Sequence, residues 1–315
     1  MKKLLVVLLI AMLVLAGCSS QDGNGETGGE EGEVKIGYVT SNMNDTFQTY
    51  IVDAATEAAK EFGFAIDVQD AQEDVIKQQD QVNSLIQQGV DVLIVVPVDT
   101  SAMDPITNAA KDAGIPLVYV NRNPFGEEEP PEGVYYVGSQ EIIAGRLQGE
   151  YLVELMGEEG GVAILMGILS NEGAVKRTEG NKEILGQYEG IKILAEETGN
   201  WQYDQGMNIA ENWLTAYGDD LNAILANNDN MAIGALNALE AKGRDDVIVM
   251  GIDAIPDAVK LVEEGKMAAT VLQDAEGQGK GAVEIAKNIL EGKSQDAVKW
   301  IDFVLVTPDN VADFK

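Results

Sequence analysis

Short apolar segments of strand length alternate with amphipathic segments of helix length from residue 34 to the end of the chain. Residues 91–96 are almost uninterruptedly apolar, whereas residues 46–62 repeat apolar side chains at helical spacing. Strands that are apolar on both faces and joined by helices are typical of a parallel sheet covered on both sides. At 315 residues the chain is long for a single core. We therefore predict an α/β fold with two Rossmann-like, doubly wound parallel-sheet lobes.

The predicted elements form two consecutive series. In the first we predict strands at 34–40, 64–68, 91–96, 115–120 and 134–137, and helices at 46–62, 75–88 and 104–113. In the second we predict strands at 162–166, 191–195, 223–225, 247–251 and 268–272, and helices at 142–156, 175–188, 207–217 and 256–264. A helix at 282–290 and a last strand at 301–305 follow.

Residues 223–239 show how polar side chains are placed within this pattern. A short apolar strand ends at the polar turn Asn227-Asn228-Asp229-Asn230, and apolar residues resume at helical spacing from Met231. We predict that the carboxylate of Asp229 caps this helix. In open α/β sheets, ligands bind beyond the carboxyl ends of the strands, where this turn lies. A plain turn with a cap is the alternative interpretation for Asp229 and Asn230.

Similar polar side chains, together with two aromatic residues, follow other predicted strands. Carboxylates and amides bind hydroxyl groups, an arginine fork holds two oxygens, and an aromatic face covers the apolar face of a sugar. This set predicts a cleft for a small polyhydroxylated ring. Taken singly, the aromatic residues could be core, the arginines could form surface ion pairs, and Asp253 could cap a loop. The candidate ligand-binding residues are Asp45, Phe47, Gln48, Asn121, Arg122, Asn171, Arg177, Trp201, Asn228, Asp253 and Gln273.

The N-terminus carries a targeting signal. Lys2 and Lys3 precede the apolar run 4–15, which is short for a membrane span, and small residues lead into Cys18. This segment resembles a bacterial lipobox, which implies a signal peptide at 1–17 and a lipidated Cys18 that begins a flexible tether at 18–33. An unprocessed anchor helix is the alternative. Because Cys18 is the only cysteine, the chain has no intrachain disulfide and no thiol left for catalysis.

The charge balance and the missing residue types exclude several function classes. With 53 acidic and 21 basic residues, the formal net charge is -32, so nucleic acids and anionic lipid surfaces are poor partners. One hypothesis is that this acidic surface suits a saline habitat, where salt screens its self-repulsion. The sequence has no histidine, no Gly-Lys-Ser/Thr phosphate loop and no dinucleotide glycine fingerprint. We therefore predict that the protein is not an enzyme and holds no cofactor.

Five short segments at the predicted strand ends have a distinctive sequence: 120–122 (Val-Asn-Arg), 135–138 (Tyr-Tyr-Val-Gly), 226–229 (Ala-Asn-Asn-Asp), 251–256 (Gly-Ile-Asp-Ala-Ile-Pro) and 269–274 (Ala-Thr-Val-Leu-Gln-Asp). Through them, residues 34–315 resemble the bacterial monosaccharide-binding proteins of ABC importers, chiefly the galactose/glucose-binding and ribose-binding groups. The resemblance implies a type I periplasmic binding protein fold whose three hinge strands cross between the lobes near Ser139, Gln273 and Trp300. The N-terminal lobe would comprise 34–139 plus 274–300, and the C-terminal lobe 140–273 plus 301–315.

The same resemblance implies roles for the candidate residues. Asp45 would accept a hydrogen bond from a ring hydroxyl, and Phe47 and Trp201 would sandwich the ring. Arg122 would supply a positive fork where the galactose-binding group has lysine. The remaining hydrogen bonds would come from Asn121, Arg177, Asn228, Asp253 and Gln273.

The chain also departs from the galactose-binding group. Asn171 and Gly173 occupy positions where that group has histidine and aspartate, and residues 156–161 lack its calcium-binding loop. We expect no metal site. We place a galactose- or glucose-type hexose first, with myo-inositol or a pentose on the same fold as the alternative and a purine nucleoside as a further one.

Localisation and partners follow from the same resemblance. It implies an exported, lipid-anchored monomer that faces the periplasm or the cell exterior. The protein would capture a monosaccharide and deliver it to the transmembrane subunits of an ABC permease. Presentation of the closed form to a chemoreceptor or a sensor kinase is the alternative role.

Overall fold

The structure is a computed structural model that describes residues 33–314, so the predicted signal peptide and Cys18 lie outside the described residues. Two sheets of six strands each confirm the predicted α/β fold. The strands are β1 Lys35–Thr40, β2 Ala65–Asp70, β3 Val92–Val95, β4 Leu117–Val120, β5 Val134–Gly138, β6 Glu159–Met166, β7 Gly190–Thr198, β8 Leu221–Ala226, β9 Ile248–Asp253, β10 Ala269–Leu272, β11 Val298–Trp300 and β12 Val304–Val306.

The helices Thr46–Phe62, Val75–Gln88 and Asp104–Ala113 have the bounds predicted from the sequence. Within residues 33–314, no helix is both long enough and apolar enough to cross a membrane. The helices are α1 Thr46–Phe62, α2 Val75–Gln88, α3 Asp104–Ala113, α4 Glu141–Met156, α5 Glu172–Leu185, α6 Tyr203–Tyr217, α7 Asp229–Lys242, α8 Pro256–Glu263 and α9 Ala275–Leu290.

The strand order is β11-β5-β4-β3-β1-β2 in the first sheet and β12-β10-β9-β8-β6-β7 in the second. The strand pairs are parallel, apart from β10 and β12, which run antiparallel. Alternate residues of a central strand pack on opposite faces of the sheet. In β3, Val92 and Ile94 pack in the core beneath α1 and α9, whereas Leu93 and Val95 pack in the core beneath α2 and α3. Both faces are covered, which explains the uninterrupted apolar run.

The chain passes between the two sheets three times. After β5 it enters the second lobe, where α4 packs against β9 and β10. After β10 it returns to the first lobe, where α9 packs against α1, β4 and β5. Finally, β11 pairs with β5 in the first sheet, and β12 pairs with β10 in the second. Three short segments, 138–141, 272–275 and 300–304, therefore connect the lobes.

Several sequence predictions were wrong in detail, among them the bounds of α5 and α6, which begin three and four residues earlier than predicted. Asn228, not Asp229, caps α7, and its side chain accepts from the Met231 amide at 3.1 Å. The predicted strand 301–305 overlaps only β12, which begins at Val304, because residues 301–303 cross between the sheets; β11 was not predicted. The helix predicted at 282–290 begins at Ala275 instead. Its glycine-rich first turns lack the apolar pattern of a helix, but a Cβ on Gly279 would lie 2.3 Å from a backbone oxygen of α1, so the glycine permits close packing.

Candidate ligand-binding site

One cavity lies where the carboxyl ends of strands from both sheets face each other. It contains about 380 Å³ of empty space, open solvent at its mouth included. All the residues that the sequence predicted for the site line this cavity, and Glu141 and Gly173 complete the lining. Because the two lobes contribute opposite walls, a ligand here would contact both of them.

The first lobe contributes one carboxylate and a series of hydrogen-bonded side-chain amides to the wall of the cavity. Asp45 caps α1, and its carboxylate accepts from the Phe47 amide at 3.0 Å. Gln48 Nε2 donates to Asn121 Oδ1 at 2.9 Å, and Asn121 Nδ2 donates to Gln278 Oε1 at 3.1 Å. The Gln48 side-chain oxygen is buried without a partner among the described residues, so it remains able to accept from a ligand.

Arg122 follows β4 and is buried beside the same wall. Its Nη1 donates to the Pro97 carbonyl at 2.9 Å, and its Nη2 lies 3.4 Å from a carboxylate oxygen of Glu73. These contacts engage two of the five N–H groups of the guanidinium. Arg122 therefore forms an ion pair and also lines the cavity, so the two interpretations of this residue are compatible.

The second lobe contributes Arg177, from the second turn of α5. Its Nε donates to Glu141 at 2.6 Å, its Nη1 to the Asn227 carbonyl at 2.6 Å, and its Nη2 to Gln273 Oε1 at 3.0 Å. Asp253, which ends β9, lies further away, with Oδ1 at 3.7 Å from Arg177 Nη1. Three of the five N–H groups are thus used by the protein, and two remain for a ligand.

Trp201 forms another part of the wall and is held by two asparagines. Its Nε1 donates to Asn171 Oδ1 at 2.9 Å, and Asn228 Nδ2 donates to its carbonyl at 3.2 Å. The backbone of Trp201 has a φ of 65°, which is unusual for a non-glycine residue and indicates local strain. Gly167 makes room for the indole, because a Cβ there would lie 2.1 Å from the ring.

The lobes touch each other at the edge of this cavity. Asn171 Nδ2, from the second lobe, donates to the Val98 carbonyl of the first at 2.8 Å. The backbone amide of Thr100 donates to the Ser170 carbonyl at 3.2 Å. The structure therefore shows the lobes in a closed arrangement, in which the side-chain amide of Asn171 is engaged by protein groups on both sides.

Two carboxylates face the cavity without a hydrogen bond from a cationic side chain among the described residues. Burial raises the pKa of Asp45, and the Arg122 charge only partly offsets this. Burial also raises the pKa of Asp253 well above its usual value, against the opposing effect of Arg177, and Asp229 and Asp45 raise it further. Neither carboxyl accepts a side-chain hydrogen bond among the described residues, so hydroxyl groups of a polyhydroxylated ligand can donate to both.

Sequence reasoning did not identify Glu141 as a lining residue. The predicted helix began at residue 142, one position later, so Glu141 fell between this helix and the hinge strand predicted near Ser139. One sequence feature could have identified Glu141: it comes directly after a segment that crosses between the lobes, and such segments lie next to the strand ends. Asp229, predicted as a helix cap at the ligand-binding edge, is instead buried and accepts from the Ile255 amide and the Thr270 hydroxyl behind Asp253. Within residues 33–314 no cluster of side chains could hold a metal ion.

A two-lobed α/β protein with a polar cleft between the strand ends of both lobes is built to enclose a small solute. Residues 36–294 match the family described as periplasmic binding protein domain. This match spans most of the chain, and the protein belongs to that family.

Several similar proteins are themselves described as binding proteins for small solutes, in agreement with this family. The chain is 40% identical over 320 residues to a putative rhizopine-binding protein of Rhizobium meliloti, covering 100% of this chain and 99% of that one. It is 32% identical over 271 residues to the ribose import binding protein of Escherichia coli, covering 86% and 90%. Among solved structures, an ABC transporter solute-binding protein of Bacillus halodurans with bound myo-inositol is 41% identical, with a TM-score of 0.85 and coverage of 91% and 98%. These relatives do not favour the galactose-type hexose that we placed first.

Proposed function

We propose that the protein is the extracytoplasmic binding component of an ABC importer and captures a neutral polyol, with a cyclitol such as myo-inositol first. The observation that carries this proposal is the pair of carboxylates, Asp45 and Asp253, on opposite lobes. When ionised, a carboxylate can only accept hydrogen bonds, so a ligand that binds the ionised pair donates at two separate points, and ring hydroxyls do so. The spare donors of Arg177 and Arg122 then match the hydroxyl oxygens.

A cyclitol is placed ahead of an aldose for two reasons. The similar protein from Bacillus halodurans was solved with bound myo-inositol, and it is 41% identical to this chain. A cyclitol also carries hydroxyls around its whole ring, which suits acceptors and donors placed on several sides of the cavity. The apolar faces of Phe47 and Trp201 then cover the C–H surface of the ring. A pentose is the next candidate, because the ribose import protein is also a relative.

Ligand capture and delivery follow from the two-lobed fold. A ligand that touches both walls favours the closed arrangement by its differential affinity, and the segments 138–141, 272–275 and 300–304 act as the hinge. This hinge separates an N-terminal lobe of 34–139 plus 274–300 from a C-terminal lobe of 140–273 plus 301–315. The closed monomer is the form that a permease recognises, and no catalytic step is involved.

We also propose that the protein is exported and anchored to the membrane through lipidated Cys18. The lipobox-like segment supports this. Expression with radiolabelled palmitate should label the wild-type protein in the membrane fraction. A Cys18→Ser variant should be unlabelled, and equal labelling of both proteins would exclude this anchor.

A thermal-shift screen tests the proposed ligand class. The purified protein is heated with myo-inositol, galactose, glucose, xylose, ribose or adenosine at millimolar concentration. A ligand that binds only the folded state raises the midpoint by mass action. We expect the largest shift of the midpoint with myo-inositol. Calorimetric titration of that compound would then give its affinity. A shift with adenosine alone would replace the polyol by a nucleoside, and no shift with any compound would reject this ligand class.

A further inference from the structure

The side chains of Glu141, Arg177 and Gln273 form a closed ring of hydrogen bonds. Arg177 Nε donates to Glu141 Oε2 at 2.6 Å, and Gln273 Nε2 donates to Glu141 Oε1 at 3.0 Å. Arg177 Nη2 completes the ring by donating to Gln273 Oε1 at 3.0 Å. Glu141 is buried, with 2% of its surface exposed, so these are strong, desolvated contacts.

The packing of α4 on α5 fixes the distance between Glu141 and Arg177. A Cβ on Gly145 of α4 would lie 1.9 Å from the Arg177 carbonyl, and a Cβ on Gly180 of α5 would lie 2.3 Å from the Ile142 carbonyl. Glycines at both places let the two helix backbones approach closely. The first residue of α4 is thereby brought onto the guanidinium of Arg177.

Two buried carboxylates compete for this one guanidinium. Glu141 is hydrogen-bonded to Arg177, whereas Asp253 remains at 3.7 Å, just beyond hydrogen-bond distance. A buried arginine needs a partner of opposite charge, because leaving it unpaired is costly. If Glu141 were absent, Asp253 would be the nearest replacement, and a shift of less than about 1 Å would join the two groups.

We propose that Glu141 is a positioning residue that keeps Arg177 apart from Asp253, so that both side chains stay free for the ligand. This inference rests on the proposed function, because it assigns the ligand contacts to Arg177 and Asp253. Without Glu141, Arg177 would donate directly to Asp253. The Asp253 oxygen and the Arg177 N–H group in that bond would then be unavailable to the ligand.

Gly173 offers a way to test whether a carboxylate at this place is what matters. A Cβ on Gly173 would lie 3.5 Å from both the carboxyl carbon and Oε2 of Glu141, in ordinary contact. An aspartate at 173 would therefore carry its carboxylate into the space that a shortened residue 141 leaves open. The variant Glu141→Ala/Gly173→Asp restores the charge from a different helix, and Glu141→Ala/Gly173→Ala is its matched control.

Calorimetric titration of the polyol found in the screen compares these proteins, each checked by its thermal midpoint. We expect Glu141→Ala to bind about 10- to 100-fold more weakly, since one or two charge-assisted hydrogen bonds are lost. The aspartate double variant should regain most of the affinity, and the alanine double variant should not. Affinity within about twofold of the wild type for Glu141→Ala, or equal affinities of the two double variants, would overturn the proposal. If Glu141→Ala does not fold, the two double variants and Glu141→Gln carry the same comparison.

A crystal structure of Glu141→Ala without ligand gives a readout that does not depend on the proposed function. We expect Arg177 Nη1 and Asp253 Oδ1 to move from 3.7 Å into direct hydrogen-bond distance. An unchanged separation in a folded variant would overturn the positioning role, even if the wild type binds a polyol. If the wild type binds no polyol but this distance shortens, the proposed function fails and the positioning role stands.

Discussion

The indole Nε1 of Trp201 donates to the side-chain oxygen of Asn171 at 2.9 Å, while Nδ2 of that asparagine donates to a carbonyl of the opposite lobe at 2.8 Å. One side chain therefore links an aromatic wall of the cavity to the contact between the lobes. The sequence predicted Asn171 as a ligand-binding residue. Its observed contacts suggest a second role, which is to hold the closed arrangement.

Replacing Asn171 by alanine should weaken ligand binding about tenfold, because one or two hydrogen bonds of about 1 kcal/mol each are lost from the closed form. The loss should fall mainly on the dissociation rate, since the Asn171–Val98 hydrogen bond joins the two lobes and therefore forms only on closure. Stopped-flow fluorescence would measure both rates. Leu169→Ala, an exposed residue of the same loop, is the control and should leave them unchanged. A slower association rate with an unchanged dissociation rate would contradict this role.

Replacing Asp253 by asparagine should reduce affinity by at least about tenfold, because a hydrogen bond from a ligand hydroxyl to a charged acceptor is lost. The same change should not lower the thermal midpoint at neutral pH. Burial raises the pKa of Asp253, so its ionised form costs stability in the ligand-free protein. Titration calorimetry and thermal unfolding check the two parts. Weaker binding together with a large loss of stability would indicate a structural role instead.

Trp201→Phe should remove most of the change in tryptophan fluorescence that ligand binding causes. Of the three tryptophans, Trp213 is buried in the core of the second lobe, and Trp300 lies on β11, outside the cavity lining. Trp201→Ala should in addition weaken binding by roughly tenfold, since an aromatic face is lost from the ligand. Trp300→Phe is the control and should retain the signal. A full signal in both Trp201→Phe and Trp300→Phe would place the ligand elsewhere.

The sequence predicted the α/β fold and the lining residues because both depend on local patterns. Strand ends in a doubly wound sheet meet at one edge, so Asn121, Asp253 and Gln273 could be assigned to that edge from their positions alone. The network behind them could not be predicted in this way. Whether Glu141 reaches Arg177 depends on how closely α4 approaches α5, and the buried position of Asp229 depends on a threonine of the neighbouring strand. Such distances are set by packing between elements that lie far apart in the sequence.

Glu172 should make stability depend on pH in the neutral range. Burial, followed by the nearby Glu141 charge, raises the pKa of Glu172 to about 8, although Arg177, Lys176 and the Asn123 amide act in the opposite direction. A carboxyl whose pKa is higher in the folded state binds more protons there than in the unfolded chain. Stability is therefore lost as the pH rises from about 4.5 towards about 8.

Glu172→Gln removes this titration, so its thermal midpoint should exceed that of the wild type by a margin that grows between pH 5 and pH 8. Each kcal/mol of difference in the free energy of unfolding changes the thermal midpoint by roughly 2–4 °C for a chain of this size class. Asp229, with a pKa raised by burial to about 7, contributes in the same direction in both proteins and cancels in the difference. Glu179→Gln, on the exposed face of the same helix, is the matched control and should show no growing margin. A constant difference between Glu172→Gln and the wild type across this range would mean that Glu172 does not titrate there.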